Sequence, residues 1–232
     1  MENAASQPLI LKLYRSPIGK KLITGGTGLA LATFVLVHMV GNLLLFVSHE
    51  AYNAYAHHLA AMGPLLWLVE SVLLAGVLLH AAVGIQIFWG QRRSRSENYA
   101  TYRSKGQPSL QSFSSRTMIV TGTVLGSFLV LHLANFKFGP YYTTQLDGQA
   151  VRDLARLVIA KFQNPLYAFS YSGVVLLLGV HLRHGIWSAL QSLGLMHQAV
   201  RFTVYGLSLG LAIAIAAGFM ILPLAVYFGL LT

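Results

Sequence analysis

Five apolar stretches set what this 232-residue chain can fold into. They run over about 22–47, 65–89, 117–136, 166–190 and 202–231. Each meets or approaches the roughly 20 residues that a helix needs to cross ~30 Å of hydrocarbon. Backbone N–H and C=O groups find no water in lipid, so such a run closes its own hydrogen bonds as a helix. The sequence predicts an all-α membrane protein of five transmembrane helices, with no repeat, as one domain over residues 1–232. Pro223 is expected to kink the fifth helix near its end.

Composition supports this. Hydrophobic residues make up 55% of the chain and charged ones 9%, against about 25% charged in an ordinary soluble domain. Sixteen Lys and Arg against six Asp and Glu leave a formal charge of +10. The basic residues lie mostly in short connectors between apolar runs, which excludes nucleic acid as a partner and matches a membrane protein with basic cytoplasmic loops. Ten of them, including Lys20, Lys21, Arg92, Arg95, Arg103 and Lys105, fall in the N-terminal segment or the second-to-third connector. The connector 48–64 has none. This asymmetry predicts a multi-pass protein of the cell inner membrane with a cytoplasmic N-terminus. The polar start up to Lys21 shows no signal-peptide pattern. Without cysteine there is no disulfide, no Cys-ligated iron–sulfur cluster and no c-type haem attachment.

The connector Gln91–Ser115, rich in Arg, Ser and Gln, reads as a cytoplasmic loop able to dock a soluble partner. On the opposite side Val151, Leu154, Val158 and Phe162 recur at helical spacing, away from Arg152, Arg156 and Lys161. They predict a short amphipathic helix lying on the membrane surface.

Histidine suits lipid poorly, because its imidazole needs a hydrogen-bond partner or a metal. His38, His80, His132 and His181 nevertheless occupy the first four apolar runs, one in each. Counting from flanking basic residues at ~1.5 Å per residue places His38 and His132 towards the outer side, and His80 and His181 nearer the cytoplasm, with ~7 Å between the levels. This pairs His38 with His132, and His80 with His181. Two trans imidazoles at each level are the axial ligand set of haem b. Gly41, Gly84 and Gly185 each lie one turn beyond a histidine, and Gly76 one turn before His80, where bare backbone would admit a flat macrocycle. Zinc sites gather ligands more compactly or in a motif such as H-E-x-x-H, which is absent. His49, His57, His58 and His197 fall in connectors and read as solvated. Glu70 is the only acidic residue within a span, a place where an ionisable side chain is functional by default. Glu50, Tyr52, Asn53, Tyr55 and His57 form a polar and aromatic group close by.

The segments Ser16–Lys21 (SPIGKK), Val37–Phe46 (VHMVGNLLLF), Tyr52–Leu59 (YNAYAHHL), Ser115–Met118 (SRTM) and His181–Gly194 (HLRHGIWSALQSLG) resemble the cytochrome b subunit of succinate:quinone oxidoreductases. The likeness is to the five-helix, di-haem branch shared with fumarate reductases. It implies a four-helix haem-binding bundle plus a fifth helix, two haem b groups, and His181 rather than His184 as the fourth-helix ligand. It further implies an anchor with no catalysis of its own, which passes electrons from flavoprotein and iron–sulfur partner subunits to membrane quinone, expected to be menaquinone. Arg116, Arg183, Arg15 and Lys20 would meet haem propionates, and His184 a propionate or quinone; Glu70 would be a proton donor to the quinone, and Glu50, Tyr52, Asn53, Tyr55 and His57 would suit its ring and carbonyls. Some relatives carry a proton-returning glutamate where this chain has Gly179. Two other readings of the residues remain open: a haem-free anchor, proton-relay or transporter subunit, and a di-haem anchor serving another respiratory dehydrogenase.

Overall fold

Ser16 and Pro17 open the first long helix. The Ser16 hydroxyl accepts the Gly19 N–H at 2.9 Å, and proline in the first helical turn gives up an N–H that would have no partner there. In the computed structural model, which describes residues 8–94 and 112–232, this capped start follows a short helix α1 (Leu9–Arg15). Helix α2 (Pro17–Leu43) then runs into a 3₁₀ turn ending at Phe46. The remaining helices are α3 (His49–Ala61), α4 (Pro64–Arg93), α5 (Ser112–His132), α6 (Leu154–Phe162), α7 (Pro165–Ser192) and α8 (Arg201–Tyr227). Arg95, Arg103, Lys105 and most of the connector expected to dock a partner lie outside the described residues.

Five of these helices (α2, α4, α5, α7 and α8) are long and apolar enough to cross a bilayer. The chain is an all-α, multi-pass membrane protein. Large apolar side chains such as Trp67, Leu68, Val72 and Leu78 stand exposed along α4, as a surface in contact with hydrocarbon requires. Helix α8 continues through the buried Pro223 and stops at Tyr227. Gly229, at φ 74°, terminates it: the Leu230 N–H donates to the Ala225 carbonyl at 2.8 Å and the Gly229 N–H to Val226 at 3.1 Å, the Schellman pattern.

Three elements at the far ends of α2, α5 and α8 close one end of the bundle, here the hairpin end. Strands β1 (Thr143–Leu146) and β2 (Gln149–Arg152) pair antiparallel with Leu146 opposite Gln149. Asp147 and Gly148 form the two-residue turn, both at positive φ (48° and 77°), as a type I′ hairpin needs. The apolar face of helix α6, expected to rest on a membrane surface, is covered by protein. That face, Ala155, Val158, Ile159 and Phe162, packs with Leu45, Tyr52, Tyr171, Leu222 and Val226 in one buried cluster. Apolar periodicity reports that a face must be covered but not by what, and here protein covers it.

Asn53 locks this cap. Buried in α3, it accepts the N–H groups of Leu154 (2.9 Å) and Ala155 (3.0 Å) and donates to Asp153 Oδ1 at 2.9 Å. Asp153 in turn caps α6 by accepting from Arg156 N at 3.0 Å. A second cluster, Ala32, Met39, Leu182, Ile186, Ala212 and Ile215, joins α2, α7 and α8 at mid-height.

Candidate functional site

The antiparallel course of the helices brings the four intramembrane histidines together in two pairs. His38 of α2 lies against His132 of α5 with ring centroids 5.8 Å apart and planes at 86°. His80 of α4 lies against His181 of α7 at 6.4 Å and 64°. His181 is thus the α7 histidine whose ring meets the α4 ring.

The two levels are further apart than the ~7 Å counted from flanking charges. Thr27 of α2 touches His80, and Thr121 of α5 touches His181. Each threonine sits eleven residues before the histidine of the other level on its own helix, which is ~16 Å along the axis. The estimate from charges failed because it set Lys21 and Arg92 at one depth: Thr27, six residues past Lys21, meets His80, twelve residues before Arg92, so α4 reaches ~9 Å further at that end.

Haem fits this geometry. Imidazoles from two helices that shared one metal ion through ~2 Å bonds would have ring centres near the two observed separations, so each pair could hold a group that takes two imidazoles from the protein. Neither level gathers three or more His, Cys, Asp or Glu among the described residues. A tetrahedral metal would need four protein or water ligands, whereas haem would need two from the protein, as His38 with His132 and His80 with His181 could supply. His132 Nδ1 is buried with no hydrogen-bond partner, the kind of polar atom a folded protein rarely leaves unused.

The surroundings of the two pairs differ. Around the hairpin-end pair, Phe34 stacks on His38 at 5.5 Å, and Phe128, Phe136 and Tyr171 ring His132 at 5.3–6.2 Å. Asn42 Nδ2 donates to the His38 carbonyl at 2.8 Å and lies 3.4 Å from His38 Nε2, while Tyr52 O–H donates to Asn42 Oδ1 at 3.1 Å. Around the other pair, hydroxyls replace rings: Thr27 Oγ1 is 3.2 Å from His80 Nδ1 and Thr121 Oγ1 is 3.0 Å from His181 Nδ1.

The glycines expected beside the ligands divide. At Gly84 and Gly185 an added Cβ would meet nothing within 4 Å, and at Gly76 only the tip of Leu31. Gly41 serves another purpose, since its bare Cα admits the Tyr55 ring, 2.6 Å from where a Cβ would stand. Gly28 and Gly122, which the histidine pattern alone does not single out, lie against His80 and His181. Gly179 is a packing residue between α7 and α8; a Cβ there would come within 3.0 Å of Ala216 Cβ. A glutamate at that position would have to push α8 aside.

The residues expected to hold a quinone do not form one group. Tyr52 is buried, braces Asn42 through its hydroxyl, and burial raises its phenol well above the usual range, so it stays a donor. Tyr55 packs on Gly41. Glu50, His57, His58 and Asp147 line an open cleft between α3 and the hairpin turn. Glu70 is not among its lining residues; it pairs with Lys137, which follows α5. Towards the other end, Arg183 Nη2 donates to Tyr205 O–H at 2.5 Å and Arg116 is exposed. His184 lies one turn of α7 beyond His181.

A five-residue π-helical segment, Leu133–Lys137, directly follows His132. Arg152 from β2 closes it, donating to the Phe136 carbonyl at 2.8 Å. Asn135 within it donates to Tyr171 O–H at 3.1 Å and accepts from Lys161 at 3.3 Å. Such segments often mark functional sites.

No family model, curated protein or solved structure matches this chain. The two histidine pairs therefore stand on their own geometry.

Proposed function

We propose that the chain is the di-haem b membrane anchor of a succinate:quinone oxidoreductase, linking an iron–sulfur partner subunit to membrane quinone. The carrying observation is the pair of imidazole contacts, 5.8 and 6.4 Å between centroids, on facing helices at two heights. His38 and His132 would hold the outer haem; His80 and His181 the inner one. Haem iron bound there supplies one-electron redox chemistry at two points across the bilayer.

The chain's own residues do the rest. Facing helices fix the ring pairs. Phe34, Phe128, Phe136 and Tyr171 exclude water from the outer pair. Basic residues at the α1 end, Arg15, Lys20, Arg116 and Arg183 among them, face a cytoplasmic surface in this orientation and offer partners for propionates. Glu70, held by Lys137 at the hairpin end, is the residue proposed to deliver a proton to quinone. The flavin and clusters belong to partner subunits, consistent with the lack of cysteine.

The test is haem content and its dependence on each histidine. The purified chain is expected to show a bis-imidazole b-type spectrum with two haems. His80→Ala and His181→Ala should each remove one haem, and His38→Ala or His132→Ala the other. A fully active complex without haem refutes the proposal; loss of the same haem from His80→Ala and His132→Ala refutes the pairing.

A further inference from the structure

The two helices that carry the outer histidines share a second pattern. Thr27–Gly28 in α2 precedes His38, and Thr121–Gly122 in α5 precedes His132, with the threonine eleven residues before the histidine in both. Eleven residues make close to three helical turns, so threonine and histidine share a face. Each helix thus gives a ring to one level and a hydroxyl to the other. The glycine beside each threonine gives the neighbouring imidazole its place: an added Cβ would stand 3.1 Å from His80 Cε1 at Gly28 and 3.5 Å from His181 Cε1 at Gly122.

Proton counting fixes the direction of the hydrogen bonds. A threonine hydroxyl has one proton. Thr27 Oγ1 donates it to the Ile23 carbonyl at 2.7 Å, and Thr121 Oγ1 to the Thr117 carbonyl at 3.0 Å. With the hydroxyl proton placed there, the contacts to His80 Nδ1 and His181 Nδ1 form when the imidazole N–H donates to the hydroxyl oxygen; at His80 the Thr24 carbonyl is a second acceptor for the ring N–H. Both rings become Nδ1–H tautomers with the Nε2 lone pair uncommitted.

We propose that Thr27 and Thr121 are positioning residues that hold His80 and His181 as Nδ1–H tautomers, with Nε2 turned to ligate the inner haem. The role towards iron rests on the haem reading above. A ligating imidazole that donates its second N–H is fixed in orientation and made more basic, which favours ferric over ferrous iron. The other pair is held differently: His132 Nδ1 has no partner, and His38 meets an amide, Asn42 Nδ2, at Nε2 rather than a hydroxyl at Nδ1.

Thr27→Val and Thr121→Val keep the side-chain shape and delete the acceptor. In the haem-loaded full chain, each should weaken inner-haem retention 10- to 100-fold. The inner midpoint potential should rise by about 59 mV for each tenfold by which ferric binding weakens more than ferrous. The outer haem should not respond, and Thr→Ser at either position should restore the inner one. In haem-free protein with ¹⁵N-labelled imidazoles, His80 and His181 should appear as Nδ1–H tautomers in the parent chain and lose that signature in the valine variants. An unchanged inner potential in a haem-loaded valine variant, or Nε2–H imidazoles in the haem-free parent, overturns the proposal. A parent chain that takes up no haem refutes the function proposed above and with it the purpose of the brace, while Nδ1–H signals would still show the brace itself.

Discussion

Replacing Asn53 by alanine should unfasten the cap over the outer histidine pair. Asn53 Oδ1 accepts two backbone N–H groups at the start of α6, from part-buried Leu154 and buried Ala155, and its Nδ2 donates to Asp153. A buried donor stripped of its acceptor costs about 1–3 kcal/mol. Ala155 N–H bears that full cost; water can reach Leu154 N–H and soften it, so about 2–4 kcal/mol is the expected total. At 1.4 kcal/mol per tenfold, local opening of α6 becomes roughly 30- to 700-fold more frequent. Amide hydrogen exchange on the detergent-solubilised protein reads this directly at residues 154 and 155. Asn53→Asp keeps an acceptor oxygen but turns the donor to Asp153 into a second carboxylate beside it, so it should restore little of the protection. Because Phe162 of α6 packs on Phe136 and Tyr171, which flank His132, in the haem-loaded protein proposed above the alanine variant should also perturb the haem band of the His38–His132 level before the other. Unchanged exchange at both amides would refute the assignment of Asn53 as the clasp.

Three further outcomes follow from named contacts. Gly41→Ala drives a Cβ into the Tyr55 ring and should lower stability by about 1–3 kcal/mol, an overpacking cost that Tyr55→Ala should relieve in the double variant; a thermal melt in detergent measures both. Arg152→Met removes the charged donor to the Phe136 carbonyl and should cost about 1.5–3 kcal/mol, with faster exchange across Leu133–Lys137 as its local signature. Glu70→Gln should slow quinone turnover and leave haem content intact. Its ion pair with Lys137 is about 40% exposed on each side, so stability should move by no more than about 1 kcal/mol; normal turnover would reduce Glu70 to an interfacial charge.

The spans were legible because some twenty apolar residues in a row leave the backbone no choice but a helix. Their ends were less so: the Ser16–Pro17 cap and the Gly229 stop are short-range signals that a hydropathy window averages away. The hairpin is faint in the sequence although Asp147–Gly148, between Thr144-Gln145-Leu146 and Gln149-Ala150-Val151, has the right turn chemistry: its strands are four residues each, with little apolar alternation to mark them. Helix α3 is rich in polar residues and lies between two spans, so no apolar run announces it. Tyr52 and Asn53 looked like ligand-facing groups for the same reason: a polar side chain near an interface is equally suited to a substrate and to a buried hydrogen bond, and only packing decides between them. Here it chose Asn42 and the α6 amides.

The four-helix core is two helix pairs built on one plan, which the bare sequence hid. Helices α2 and α5 each carry Thr-Gly and then a histidine three turns later; α4 and α7 each carry a histidine followed one turn on by glycine, at His80–Gly84 and His181–Gly185. Similar residues at equal spacing place rings at two matched heights without a detectable repeat, because the lipid-facing positions between them are free to vary among apolar types. The plan also makes the levels unequal. Helices α2 and α5 each offer a histidine at one height and a hydroxyl at the other, so His80 and His181 both meet hydroxyls, while the His38–His132 pair is packed mainly by aromatic rings with Asn42 beside His38. Two cofactors held ~16 Å apart in such different surroundings would have different affinities and potentials, and exchanging Thr27 with an aromatic, or Phe128 with threonine, should shift one level and spare the other.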